Sequence, residues 1–255
     1  MFGVHASIMN LISMQIRYIV CGIVVLPFAP FLYLQSKYVR RKVGRLPDAE
    51  GETVGKHGEH EEIINLLAIG ESTVAGVGAK THNEALTGQF AKHLSQTTEK
   101  SVHWQAFGTS GITIKRTLRE VVPNLPAEKM DVIVVALGAN DVFGLSSPHE
   151  FRRNLSKLLE VLREKYAGAK IFVANVPMVR DFIALPNPLR YILSRLAKLH
   201  HFNAIDLISK LENVSYFDDV KRVDDDFFSD GIHPSPKGYD LWSKAMVDFF
   251  VRNAG

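Results

Sequence analysis

The chain has 255 residues, 46% hydrophobic and 22% charged, a balance that excludes a disordered polymer and supplies enough apolar material for one large core. Its formal charge of +3 is concentrated at one end. Six cations, Arg17, Lys37, Arg40, Arg41, Lys42 and Arg45, precede the first carboxylate, Asp48; setting them aside leaves 24 basic against 27 acidic residues, which excludes a nucleic-acid footprint on the remainder. The single cysteine, Cys21, excludes an intramolecular disulfide and a multi-cysteine zinc site.

Residues 18–34, YIVCGIVVLPFAPFLYL, carry no charge and would extend about 26 Å as a helix, enough to approach the thickness of a bilayer core. The following QSKYVRRKVGR suits anionic headgroups, and the positive-inside bias would hold the downstream domain on the cytoplasmic side. Residues 1–46 therefore read as a membrane anchor with a cationic flank. A spanning helix is the first expectation. Pro27 and Pro30 also allow a monotopic, interfacial insertion, whereas a cleaved signal peptide fits less well because most cations follow the apolar run. A buried globular helix is the remaining alternative. Residues 47–60 are polar and aperiodic and read as a linker, with His57, His60 and their glutamate neighbours solvated rather than metal-binding.

From residue 61 to 255, short β-branched runs alternate with amphipathic segments, the pattern of a parallel sheet covered by helices. Strands are expected at 63–70, 102–107, 131–138 and 170–176, with a weaker fifth at 214–217. Phe151, Leu155, Leu158, Leu159 and Leu162 repeat at helical spacing, as do Leu189, Ile192, Leu193, Leu196 and Leu199. Ser235 and Pro236 open a final helix through Trp242, Met246 and Phe249.

Chemistry in such sheets gathers beyond the carboxyl ends of the strands. The first strand ends in Gly70-Glu71-Ser72-Thr73, a sharp strand-to-helix transition placing a hydroxyl at the rim; alone, it equally describes a helix N-cap. The second ends in Gly108-Thr109-Ser110-Gly111, and the third in Gly138-Ala139-Asn140-Asp141, which offers a side-chain amide. Near the C-terminus, Asp230 and His233 stand three residues apart before the last helix. Each is ordinary by itself.

In order, the four elements resemble the blocks that define the SGNH/GDSL hydrolases, over roughly residues 62–252. The resemblance implies a three-layer α/β/α sandwich with a mostly parallel five-stranded sheet, flavodoxin-like, following the N-terminal membrane helix. It implies Ser72 as nucleophile, Asp230 and His233 as its triad partners, and an oxyanion hole from Ser72, Gly111 and Asn140, with no metal or organic cofactor. Two departures stand out: Glu71 replaces the usual aspartate, and Ala106 stands where the second block often has asparagine.

The segment 177–202 leaves the rim carrying Phe182, Ile183 and Leu185, an expected acyl-binding lip, ahead of a helix bearing Arg190, Arg195 and Lys198. With the anchor, this favours lipid or other acyl esters as substrates. Acyl thioesters, carbohydrate O-acetyl esters, and a catalytically inactive membrane-tethered binding protein on the same fold are the alternatives.

Overall fold

The computed structural model describes residues 10–44, 46–219 and 223–253; residues 1–9 and 45 of the expected anchor and 220–222 and 254–255 of the expected domain lie outside the described residues. In chain order the strands are β1 (Val54–His57), β2 (Ile63–Gly70), β3 (Ser101–Gly108), β4 (Val132–Ala136), β5 (Lys170–Val173) and β6 (Val214–Tyr216). The helices are α1 (Leu11–Val25), α2 (Ala29–Val43), α3 (Leu86–Thr98), α4 (Ile114–Glu120), α5 (Ala139–Phe143), α6 (Pro148–Lys165), α7 (Leu189–Ile208) and α8 (Pro236–Asn253).

Among the described residues the strands form one sheet in the order β1-β3-β2-β4-β5-β6, parallel except for β1. The five parallel strands have the flavodoxin-like order, reversing between β2 and β4, where a crevice opens at the carboxyl ends. Residues along β4 alternate between two cores. Ile133 and Val135 pack with α6 and α7, while Val132, Val134 and Ala136 pack with α3 and α8. That two-sided burial explains why the strands read as continuous apolar runs.

The sixth strand, β1, falls inside the segment expected to be a linker. Its VGKH sequence is neither an apolar run nor an apolar/polar alternation, and none of its four residues is fully buried at this antiparallel edge. Gly55 fits there because an added Cβ would lie 2.5 Å from the ring of Trp104.

The apolar N-terminal run is helical. Its prolines are absorbed at a single 3₁₀ turn, Leu26–Phe28, and at the start of α2, where a missing N–H costs little. This long helix lies against the domain at both ends. Met14 and Val39 are buried, and Tyr18, Leu32 and Val43 pack on the core that α6 and α7 share. The His149 backbone N–H donates to Gln15 Oε1 (3.2 Å), and Tyr18 Oη donates to the Leu145 carbonyl (2.8 Å). Farther along, Gln35 donates to the Asn187 carbonyl (2.8 Å) and accepts from the Leu189 N–H (3.2 Å).

Candidate active site

Ser72 follows β2 at the point where the strand order reverses. The chain does not enter a helix there, as the sequence had suggested. It makes successive turns, with Ala75 N–H bonded to the Glu71 carbonyl (3.0 Å) and Val77 N–H to the Ser72 carbonyl (2.9 Å). Gly76 and Gly78 adopt φ of +80° and +97°, left-handed values that interrupt helical continuation and delay α3 to Leu86. Neighbours fix this turn from two sides. Gly108, ending β3, comes so close that an added Cβ would lie 2.1 Å from Ala75 N, and the Thr109 N–H donates to the Gly70 carbonyl (3.1 Å).

The Asp230 and His233 loop is clamped to the same turn. Ser229 Oγ donates to the Gly78 carbonyl (3.0 Å), Tyr239 Oη on α8 donates to the Val77 carbonyl (2.7 Å), and Gly78 leaves no room for a side chain beneath the Pro234 carbonyl. Within the loop, Asp230 Oδ1 accepts from the N–H groups of Ile232 (2.9 Å) and His233 (2.8 Å), while Oδ2 lies 2.8 Å from His233 Nδ1. Burial works against the Asp230 carboxylate, but the His233 ring and these N–H donors outweigh it and hold its pKa below the ordinary range. The carboxylate thus fixes the imidazole through Nδ1 and leaves Nε2 for other work.

Glu71, one methylene longer than the usual residue, reaches across to the turn after β4. Its Oε1 accepts from the Ala139 N–H (2.9 Å), and its Oε2 accepts from the Asn140 N–H (2.9 Å) and from the Asn140 side-chain amide. The residue is 3% exposed. Desolvation pushes its pKa up to about 7 against the pull of these donors, with Asp141 adding like charge. Asp141, also buried, accepts from the Ile114 N–H (3.0 Å) and so joins α5 to α4; desolvation raises its pKa to about 6.

Ser72, Asn140 and His233 line one cavity of about 500 Å³. Among the described residues Ser72 Oγ makes no hydrogen bond to His233, an open arrangement common before a substrate is bound. Gly111 is not among the cavity's walls; it sits in the exposed β3–α4 loop at φ +79°, with open space around it. Of the expected acyl-binding lip, only Phe182 lines this cavity. Leu185 is buried in the core, and Ile183 is half exposed beside a separate groove that Arg190, Arg195 and Lys198 also line.

The rest of the apolar wall, including Phe143, Phe217, Phe227, Phe228, Leu241 and Trp242, went unrecognised in the sequence. Phe227 and Phe228, three and two residues before Asp230, were the available signal. Trp242 lay within a helical stripe that reads as core and instead turns its indole toward Asn175 (3.2 Å).

Solved proteins share this architecture. A lipase from a goat rumen metagenome superposes with a TM-score of 0.54 at 21% identity, covering 75% of this chain and 97% of that one. A member of the lipolytic G-D-S-L family from Veillonella parvula gives a TM-score of 0.53 at 14% identity, covering 74% and 99%. At those identities the likeness is one of fold. In sequence, a GDSL-like esterase of Mycobacterium tuberculosis is 27% identical over 128 residues, half of this chain and 40% of that protein, so the match spans about two fifths of that relative's length. Residues 68–241, from the end of β2 into α8, match the model of the GDSL-like lipase/acylhydrolase family. The chain belongs to that family.

Proposed function

We propose that the protein is a serine hydrolase of acyl esters, with Ser72 as nucleophile, His233 as general base and Asp230 orienting the imidazole. The observation that carries this reading is the common cavity: Ser72 and the Asp230-fixed His233 face one space whose walls are largely aromatic and aliphatic. In the reaction His233 takes the Ser72 proton as Oγ attacks the ester carbonyl, then returns it to the leaving alcohol. Water activated by His233 hydrolyses the acyl-serine. The oxyanion is received by the Ser72 N–H and by the Asn140 amide, whose second hydrogen remains for it when the first is held by Glu71; Gly111, outside the walls of the cavity, takes no part in this reading. An apolar cavity of about 500 Å³ suits an acyl chain better than the acetyl group of a polysaccharide. The apolar helix and its cations extend the reading to a membrane-associated enzyme on the cytoplasmic side, acting on lipid or other acyl esters.

A fluorophosphonate is expected to label the protein at Ser72, and Ser72→Ala to abolish labelling and turnover with the fold intact. Labelling of another serine, or full hydrolysis by the variant, refutes the assignment.

A further inference from the structure

The N-terminal helix carries two opposed stripes. Toward the domain point Met14, Tyr18, Val25, Leu32, Val39 and Val43, recurring every four or seven residues, each buried or half-buried. Ile12, Ile16, Ile19, Ile23, Leu34 and Tyr38 follow a second stripe with its own helical spacing, and each is at least half exposed. An apolar stripe of this length left to water is costly.

A spanning helix cannot hold the contacts this one makes. Gln15 binds the start of α6 and Gln35 binds the start of α7, twenty residues apart on the rod, or about 30 Å at helical rise. That separation is the thickness of the bilayer core itself. Crossing would place one domain's two docking points on opposite membrane faces, with polar loops of the domain drawn into hydrocarbon.

We infer that the helix over residues 11–43 lies in the plane of the membrane, with the domain seated on one side of it and the stripe from Ile12 to Tyr38 sunk into the lipid. The inference rests on the membrane-associated reading above and fixes its geometry. An anionic lipid surface is the occupant that the charges select. The described residues 10–44 contain no carboxylate, while Arg40, Arg41 and Lys42 end α2 and Lys37 precedes them by one turn. The site lies close by. Leu145, whose carbonyl holds Tyr18, is exposed, and Phe143, two residues earlier, is partly exposed and lines the cavity of Ser72. An acyl chain leaving the lipid beside α1 therefore meets apolar surface up to the catalytic cavity.

The test is a depth measurement on the full chain, reconstituted in vesicles of phosphatidylcholine and phosphatidylglycerol. Ile12→Cys, Ile23→Cys and Tyr38→Cys, each in a Cys21→Ser background, carry a fluorescent probe at the middle and the two ends of the exposed stripe. Quenching by lipids spin-labelled at different depths should put all three probes at one shallow level, about 5–10 Å into the headgroup and acyl boundary. A spanning helix would put the Ile23→Cys probe at least 10 Å deeper than both ends, overturning the in-plane geometry while leaving membrane association intact. Absence of the protein from floated vesicles would overturn both. Probes that no lipid quenches, with the Ile23→Cys thiol cross-linking between chains, would mean that a second copy covers the stripe and would equally overturn it. Hydrolysis of a soluble ester, measured on the same samples, reports the catalytic reading separately.

Discussion

Glu71 turns an apparent conservative departure into a strut. An aspartate falls one methylene short of the Ala139 and Asn140 N–H groups, whereas glutamate spans the gap between the serine turn and the amide turn. Its pKa, about 7 in the folded protein against an ordinary 4.5, has a definite consequence for stability. Between those values the folded state holds a proton that the unfolded chain has released, so this contribution is full below pH 4.5 and is lost as pH rises through 7. Urea unfolding at pH 4 and pH 8 should show the parent losing on the order of 3 kcal/mol more than Glu71→Gln over that interval. A gap between the two proteins that does not change with pH would show that Glu71 does not titrate there. At the neighbouring position, Asn140→Ala should lower kcat by about 10²–10³-fold with a smaller change in KM, since in the proposed mechanism the amide acts on charge that appears only during attack. If kcat stays within about threefold, Asn140 serves only to hold Glu71. None of this was legible in the sequence, because the partners of Glu71 include backbone N–H groups 68 and 69 residues away.

At the scale of elements, legibility followed periodicity. The parallel strands and the stripes of α6, α7 and α8 were readable because burial on two faces or on one stripe forces a repeating apolar pattern. β1 left no such trace, and the turn after Ser72 looked helical because residue types there do not reveal the φ values of Gly76 and Gly78. The ordered blocks brought Ser72, Asn140, Asp230 and His233 to one rim, yet the wall of the cavity came from aromatics whose spacing carries no common period. Two glycines, one ending β3 and one in the loop after it, separate packing from backbone strain. Gly108→Ala drives a methyl into the backbone of the serine turn and should destabilise by on the order of 3 kcal/mol and depress kcat. Gly111→Ala meets open space and bears only the left-handed φ, about 1–2 kcal/mol. Denaturant midpoints rank the two, and the reverse order would contradict the close approach of β3 to Ala75.

For the whole molecule, the N-terminal helix is a packing partner of the domain as well as its proposed membrane face. Removing residues 1–44 uncovers the surfaces of α6 and α7 beneath Met14 and Val39, each worth about 1.5–3 kcal/mol when buried, offset by the freed entropy of the helix. The truncated protein should therefore unfold at lower urea concentration, while its kcat on a soluble ester stays within about threefold of the parent because the proposed triad lies in the retained domain. A collapse of kcat would make the helix a support of the site. The same docking sets an order of events in time. Tyr18 meets a carbonyl 127 residues farther along the chain and Gln35 one 152 residues farther, so at 5–20 residues per second the helix is made on the order of ten seconds before its seat on the domain. During that interval its apolar surface has only lipid or a chaperone to cover it, and synthesis itself offers the helix to a bilayer before the domain can claim it.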